Sequence, residues 1–273
     1  VFAHLRAHKN KAGLSVGRGH FRAFLQLSTA LYAKAPLGKS PAWAALSCLL
    51  ALARRMGIER QHLKERAMAQ ELPQIYLVTP PEFELARFPE VLATVLDSHE
   101  IACVRLSMAS RDEDRIARAA DALREITHAR DVALVIDSHI LLVERLGLDG
   151  VHLTDGARLV RKTRKDLGAD AIIGAHCGTS RHEGMNAGEA GADYVSFGPV
   201  GASVLGNGEI AEAELFDWWS QMIELPVVAE GGLTPALVRA LAPMTDFFAI
   251  GDEIWSASDP ASELAALKAA MAG

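Results

Sequence analysis

Cysteine is scarce in this sequence, and acidic residues are absent from its first part. Only three cysteines occur among 273 residues, at Cys48, Cys103 and Cys177, and no pair has the spacing of metal ligands. This scarcity excludes a disulfide framework and a zinc knuckle. We therefore expect a reducing, cytoplasmic environment.

Long apolar runs are also missing. Residues 42–53, AWAALSCLLALA, form a strongly apolar stretch, but it has only twelve residues and ends at Arg54 and Arg55. A membrane-spanning helix needs about 20 apolar residues, so we expect no membrane association and interpret this stretch as a helix docked on an apolar surface. No G-x-G-x-x-G motif follows the first predicted strand, which disfavours an open dinucleotide-binding sheet.

The charges divide the chain into two parts. Residues 1–58 contain nine Lys or Arg and no Asp or Glu, and the net charge is +9 over residues 1–72 but −15 over residues 73–273. We predict a basic, partly helical N-terminal extension over 1–72, either poorly ordered or a misassigned start, followed by one domain over 73–273. An organellar presequence and a basic arm are the other interpretations. The basic residues lack interleaved aromatics, so we expect no nucleic-acid binding.

From residue 74 onward, short β-rich runs alternate with helical patterns. The predicted strands are 74–79, 102–106, 132–136, 150–153, 171–175, 194–197, 227–229 and 247–250. Helices are predicted between them, including 112–130, 140–146, 180–190, 214–223 and 234–241. Eight βα repeats predict an α/β fold of the (β/α)8 TIM-barrel type, in which chemistry occurs at the carboxyl ends of the strands.

Four segments carry a resemblance to a known family. They are QIYLVT at 74–79, GLDGVHL at 147–153, GADYVSFGPV at 191–200 and PVVAEGG at 226–232. In this order and spacing they resemble thiamine phosphate synthases and their thiazole-tautomerase relatives. The resemblance implies a transferase of thiamine biosynthesis that couples hydroxymethylpyrimidine pyrophosphate with thiazole phosphate. It also implies Mg²⁺ as cofactor if synthase activity is retained, and a small-molecule site with phosphate-binding loops.

Carried onto this chain, the resemblance together with the strand ends gives three sets of candidate residues. The catalytic candidates are Arg105, Ser107 and His176; the phosphate-binding candidates are Thr79, Gly198, Gly231, Gly232 and Gly251; the metal candidates are Asp137 and Asp155. Two structural alternatives remain open. The paired glycines could serve only a tight turn, and Arg105 could pair with Asp137 or another acid.

The chain departs from the family at the motifs that carry pyrophosphate and metal chemistry. Asn-Asp-Arg after strand three is replaced by Asp137, Ser138 and His139, and Gly-Gln-Glu-Asp after strand four is replaced at residues 154–157 by TDGA. Residues 202–208, ASVLGNG, contain no cation where the family has Thr-x-Thr-Lys.

Acids also lie near the expected phosphate loops, at Glu230, Asp252 and Glu253. Acids oppose phosphate binding unless a cation intervenes. Two alternatives to the synthase therefore stay open: a catalytically degenerate barrel that binds a heterocyclic ligand, and a tautomerase-type isomerase.

Two further expectations concern single residues. Cys177 is predicted to be a partly buried thiol rather than a nucleophile, because no base is apparent beside it. Of Trp218 and Trp219, one indole should pack on the barrel while the other marks a subunit contact, consistent with a homo-oligomer.

Overall fold

The computed structural model describes residues 72–203, 205 and 208–272. The predicted N-terminal extension, apart from Leu72, and its helix over 42–53 lie outside these residues. Within the described part of the chain, no helix is long and apolar enough to cross a membrane.

Eight parallel strands pair in chain order and close into a barrel because β8 pairs with β1. The strands are β1 Gln74–Val78, β2 Cys103–Leu106, β3 Ala133–Asp137, β4 Gly150–Leu153, β5 Ile172–His176, β6 Tyr194–Phe197, β7 Val227–Glu230 and β8 Phe247–Ile250. The predicted (β/α)8 barrel is confirmed.

Helices follow the strands along the chain. They are α1 Phe88–Ser98, α2 Glu113–His128, α3 Ile140–Leu146, α4 Val160–Leu167, α5 Arg181–Ala190, α6 Ala213–Met222, α7 Pro235–Leu241, α8 Asp252–Trp255 and α9 Pro260–Met271. The start of α5 follows from its sequence, since the Ser180 side chain accepts a hydrogen bond from the Glu183 N–H as an N-cap. Its end follows from Gly191, which adopts a φ of 104°.

The predicted strand bounds need small corrections. Strands β4, β6 and β8 agree with the prediction. β1 ends one residue earlier than predicted and β2 begins one residue later, while β3 and β5 each begin and end one residue later and β7 extends one residue further. Asp137, His176 and Glu230 therefore lie inside strands rather than in loops. Their side chains consequently follow the alternation of the sheet, which fixes the direction in which each one points.

Alternation along the strands separates two apolar regions. One face of each strand packs against the helices, as Ile75, Leu77, Val104 and Leu106 do. The opposite face fills the barrel interior with a second cluster that includes Tyr76, Cys103, Val135, Tyr194, Val228 and Phe247. Arg105 follows Cys103 by two residues and Glu230 follows Val228 by two, so both point inward above this cluster.

The barrel interior contains a buried polar chain. The hydroxyls of Tyr76 and Tyr194 lie 2.7 Å apart, and His152 Nδ1 lies 2.9 Å from the Tyr194 hydroxyl. Gly174 makes room for this arrangement, because a Cβ at that position would lie 2.0 Å from Cζ of Tyr194. Burial, and secondarily the nearby Arg105 charge, hold the pKa of His152 well below its usual range, so this imidazole is neutral.

Candidate active site

Arg105, at the carboxyl end of β2, lies between two carboxylates at the barrel mouth. It is only 6% exposed. Its Nη2 donates a hydrogen bond to Glu230 Oε2 at 2.7 Å, across the barrel from β7. Its Nε lies 3.6 Å from Asp137 Oδ1 on β3, within ion-pair distance but beyond hydrogen-bonding distance. The charge of the guanidinium is thus balanced by anionic groups of this chain, while its Nε and Nη1 have no hydrogen-bond partner among the described residues.

Arg105 and Glu230 each stabilise the ionised form of the other. Burial alone would raise the pKa of Glu230, but Arg105 and the hydrogen bond from His176 outweigh burial and hold that pKa well below its usual range. Burial likewise disfavours the charged form of Arg105, but the charges of Glu230 and Asp137 outweigh burial and raise the pKa of Arg105 above its usual value. Burial raises the pKa of Asp137, against the effect of Arg105. Glu230 and Arg105 therefore form a buried, ionised pair.

His176 ends β5 and shares the same carboxylate. Its Nδ1 lies 2.6 Å from Glu230 Oε1, and the Ser196 hydroxyl donates to that oxygen at 2.5 Å. The distance between His176 Nδ1 and Ser196 Oγ is 3.1 Å. We call these five residues, Arg105, Asp137, His176, Ser196 and Glu230, the mouth network. The network orients the His176 ring, as a carboxylate does for a histidine that transfers protons.

A cavity of about 450 Å³ opens beside the mouth network. Its lining includes several predicted site residues, namely Thr79, Arg105, Ser107, Gly231, Gly232 and Gly251, together with Glu230, Asp252 and Glu253. Thr79 and Ser107 are joined there, because the Ser107 N–H donates to Thr79 Oγ1 at 3.0 Å. The predicted site residues from β1, β2, β7 and β8 therefore converge on one cavity, which we call the mouth pocket.

The other predicted site residues lie elsewhere. His176 reaches the mouth pocket only through Glu230. Gly198 packs against the end of β7, where an added Cβ would lie 2.3 Å from the Glu230 carbonyl oxygen. Asp155 lies exposed in the loop after β4. The assignments of these residues to catalysis, phosphate binding and metal binding stay predictions.

The paired glycines after β7 have a conformation that favours glycine. Gly231 has a φ of 84° and Gly232 a φ of 70°, both in the left-handed region. A Cβ on Gly232 would also lie 2.6 Å from the Ala202 carbonyl oxygen. The turn therefore requires glycine for backbone reasons, and phosphate binding by these residues is an additional prediction.

Glu253 folds back onto the loops that follow β7 and β8. Its Oε1 accepts a hydrogen bond from the Leu233 N–H at 3.0 Å, and its Oε2 accepts one from the Gly251 N–H at 2.8 Å. A single carboxylate thus bridges backbone donors from both loops.

The predicted Mg²⁺ ligands do not form a fitting donor set. Asp137 Oδ1 faces the Arg105 guanidinium, whose charge would repel a second cation, while Asp155 lies exposed after β4. Among the residues that the structure describes, no group of three His, Cys, Asp or Glu side chains could hold a metal ion. A magnesium site built on Asp137 and Asp155 is therefore not supported by their surroundings.

Sequence reasoning did not identify Ser196 as a site residue. Its hydroxyl joins His176 to Glu230, and it is fully buried. The signal was present in the alternation of β6, where Tyr194 and Ser196 share the inward face. A polar residue at the last inward position of a barrel strand is a candidate for the site.

Cys177 is predicted to resist alkylation in the native protein. It is 5% exposed, and burial raises the pKa of its thiol to about 12, so the reactive thiolate is scarce at pH 8. Peptide mapping after iodoacetamide treatment should recover unmodified Cys177 from native protein and modified Cys177 from unfolded protein. Rapid native labelling would contradict the buried-thiol interpretation.

Comparisons with known proteins agree with this fold. A model of the family described as thiamine monophosphate synthase matches residues 75–251. A thiamine-phosphate synthase of Rhodospirillum centenum is 40% identical over 208 residues, covering 73% of this chain and 98% of that protein. Another from Erythrobacter litoralis is 38% identical over 199 residues, covering 70% of this chain and 93% of its own length.

A solved structure shares the architecture. Thiamine phosphate pyrophosphorylase from Pyrococcus furiosus superposes with a TM-score of 0.64 at 20% identity, covering 73% of this chain and 95% of that one. At this identity the likeness establishes the fold.

Proposed function

Because this chain belongs to the thiamine monophosphate synthase family, we propose that it is a transferase of thiamine biosynthesis, joining hydroxymethylpyrimidine pyrophosphate to a thiazole at the barrel mouth. Thiazole phosphate is the partner that the family resemblance implies. The observation that carries the proposal is 40% identity across 98% of a relative named thiamine-phosphate synthase. The mouth pocket, lined by residues from four strand ends, is the place where both rings would meet.

The reaction requires a nucleophile, a leaving group and an oriented pair of rings. A bond forms between the thiazole nitrogen and the pyrimidine methylene carbon, while the carbon–oxygen bond to pyrophosphate breaks and the pyrophosphate leaves with that electron pair. Holding both rings in the mouth pocket makes this step effectively unimolecular. Thr79 and Ser107 supply hydroxyl groups for polar contacts. The mouth network supplies a positioned imidazole at His176.

Mg²⁺ is the cofactor that the family resemblance implies, and it would neutralise the departing pyrophosphate. Asp137 and Asp155 are the carboxylates proposed for it, but the first faces Arg105 and the second lies exposed. We therefore assign no step to the ion.

A second candidate function is favoured by the mouth network. His176 contacts a buried, ionised Glu230, and this arrangement suits proton transfer. Such a reaction does not require residues that bind pyrophosphate. A tautomerase-type isomerase acting on a heterocycle would use this pair directly. A degenerate barrel that only binds such a heterocycle would use the mouth pocket without the pair.

The test uses the full chain with hydroxymethylpyrimidine pyrophosphate and either thiazole phosphate or the thiazole alcohol, with and without Mg²⁺. We expect a coupled product containing both rings, measured by liquid chromatography and mass spectrometry. The coupling step moves no proton, so His176→Ala tests the isomerase alternative: it should lower the rate of thiazole tautomer interconversion at least about tenfold, since general acid–base catalysis contributes about 10²–10⁴-fold. His182→Ala is the matched control, because His182 is exposed on α5.

Two outcomes would contradict the proposal. Folded protein that binds neither heterocycle would exclude the synthase and both alternatives. Binding without coupled product would exclude the synthase and leave the isomerase, which is then tested with thiazole tautomers in the same assay.

A further inference from the structure

Arg105 has hydrogen-bond donors that the mouth network leaves unused. Its side chain lines the mouth pocket, yet it is only 6% exposed. Nη2 donates to Glu230 Oε2 at 2.7 Å, while Nε and Nη1 are buried and have no hydrogen-bond partner in the part of the chain that the structure describes. A buried donor without an acceptor is unfavourable, so a ligand atom that accepts from Arg105 gains affinity over one that does not.

The guanidinium of Arg105 is held in place by its neighbours. Glu230 binds the Nη2 end, and the ring of Tyr76 lies beneath, with its centroid 5.7 Å from Cζ of Arg105. Glu230 is itself fixed, because the Ser196 hydroxyl donates to its other carboxylate oxygen at 2.5 Å. A donor that is already ordered loses little conformational entropy on binding, so Nη1 can select a ligand by the position of its acceptor atom.

We propose that Arg105 Nη1 donates a hydrogen bond to a ring nitrogen of the pyrimidine, so that Arg105 determines specificity for the pyrimidine half of the substrate and does not bind pyrophosphate. This inference rests on the proposed function for the identity of the two rings. It assigns to Arg105 one neutral acceptor atom, and it places the pyrimidine at the inner end of the mouth pocket, above the apolar cluster of the barrel interior.

The chemistry of coupling decides which ring can accept this hydrogen bond. The thiazole has a single ring nitrogen, and the lone pair of that nitrogen forms the new bond to carbon. A hydrogen bond to the same lone pair would oppose the reaction. The pyrimidine reacts at its methylene carbon, so both of its ring nitrogens remain available as acceptors throughout the step. The unused donor of Arg105 therefore suits the pyrimidine and not the thiazole.

The electrostatics of the pair favour a neutral acceptor over an anion. Glu230 is 2% exposed and lies 2.7 Å from Nη2, and Arg105 holds the pKa of this carboxyl group well below its usual range. Repulsion from the ionised carboxylate would offset much of the attraction between Arg105 and a pyrophosphate. A ring nitrogen carries no net charge, so it can use the free N–H without this opposition.

The test measures ligand binding to the full chain by isothermal titration calorimetry. One probe is the free hydroxymethylpyrimidine, which lacks pyrophosphate. The other is its benzene analogue, in which CH replaces both ring nitrogens and the substituents are kept. We expect wild-type protein to bind the pyrimidine at least about tenfold more tightly, the effect of one hydrogen bond from a charged donor. The benzene analogue is more apolar, so burial of the ring alone would favour the opposite order.

The variant that tests Arg105 is the double variant Arg105→Met/Glu230→Gln. It removes the donor without leaving an orphaned carboxylate, and it keeps the net charge of the pocket unchanged. It should bind the two probes equally within about threefold, and its affinity for inorganic pyrophosphate should differ from that of the wild type by less than about threefold. Arg145→Met removes an exposed arginine on α3 and is the matched control, with the wild-type preference for the pyrimidine. Circular dichroism and thermal unfolding establish that each variant is folded.

Three outcomes would overturn the inference. The first, equal binding of the two probes by the wild type, needs no variant. The second is a preference for the pyrimidine that persists in the folded double variant. The third is a loss of more than about tenfold in pyrophosphate affinity in that variant, which would identify Arg105 as an anion-binding residue.

Failure of this inference is distinguishable from failure of the synthase proposal, because the probes bind without reacting. Coupled product from a wild type that shows no preference between the probes would support the synthase and overturn the role of Arg105. A preference that disappears in the double variant, without coupled product from the wild type, would support the role of Arg105 and contradict the synthase.

Discussion

Replacing Arg105 with Met is expected to lower the free energy of unfolding by about 3–5 kcal/mol at neutral pH, because removing one member of a buried ion pair leaves an uncompensated charge. The charge is that of Glu230, which is 2% exposed and hydrogen-bonded to Arg105 at 2.7 Å. Met has a similar length and no charge, so the loss reports mainly on electrostatics. Urea unfolding followed by circular dichroism measures it.

The pH dependence of this effect has a definite sign. A carboxyl group whose folded-state pKa is depressed, as for Glu230, contributes stability above its unfolded pKa of about 4.3 and loses it as pH falls through the folded pKa. The stability difference between wild type and Arg105→Met should therefore be largest near neutral pH and shrink as acidification protonates Glu230, first in the variant, where Arg105 no longer lowers the pKa of this carboxyl group.

Two further variants make the Arg105 prediction specific. Arg145→Met removes an exposed arginine on α3 and should change stability by less than about 0.5 kcal/mol. Adding Glu230→Gln to Arg105→Met should recover part of the loss, since the orphaned charge is then gone. A loss below about 1 kcal/mol in Arg105→Met would show that water or rearrangement compensates Glu230.

Replacing Trp219 with Ala is expected to cost about 3–5 kcal/mol, the range for removing a large aromatic side chain from a packed core. Trp219 is fully buried, its ring centroid lies 5.0 Å from that of Phe197, and its Nε1 donates to the Leu225 carbonyl oxygen at 2.8 Å. Truncation removes this packing and leaves the carbonyl without its indole donor. Thermal or urea unfolding measures the change.

The adjacent indole provides the control. Trp218 is partly exposed and lies under the guanidinium of Arg181, 5.0 Å from its Cζ. Trp218→Ala should cost less than about 1.5 kcal/mol, since little core is lost. Equal losses in the two variants would contradict the assignment of Trp219 alone to the core. The predicted role of one indole in a subunit contact stays a prediction.

The fold was predictable because the residue pattern within each strand and turn is enough to identify that element. Each strand is a short apolar run with β-branched or aromatic residues, and turns such as Gly147 and Gly191 end the preceding helices in the left-handed conformation. β3 and β5 extend one residue beyond their predicted carboxyl ends, to Asp137 and His176, because both residues are polar and polarity at the end of an apolar run is usually a loop signal. In a barrel, the last inward position is also where polar site residues occur.

The candidate site was predictable only in part. Arg105 was correctly placed at the mouth, and its pairing with Asp137 or another acid was one of two open interpretations. That Glu230 is the closer partner depends on which side chains reach across the barrel, between residues 125 positions apart. Sequence periodicity gives the direction of a side chain but not its length of reach or its rotamer.

Glu253 illustrates the same limit more strongly. The sequence placed it near a phosphate loop and predicted that its charge would oppose a phosphate. Whether the carboxylate projects into solvent or turns back onto Leu233 and Gly251 is set by the path of two loops, which no repeating pattern encodes.

The closure of β8 onto β1 has a consequence for association with other proteins. Every strand of the described barrel has a neighbour on both sides, so its backbone offers no free row of donors and acceptors to a strand from another chain. A strand from another chain therefore cannot add to this sheet, although strand addition underlies many peptide complexes and many aggregates. Any partner, including a second copy of the chain, would have to recognise the barrel by the side chains of its helices and loops.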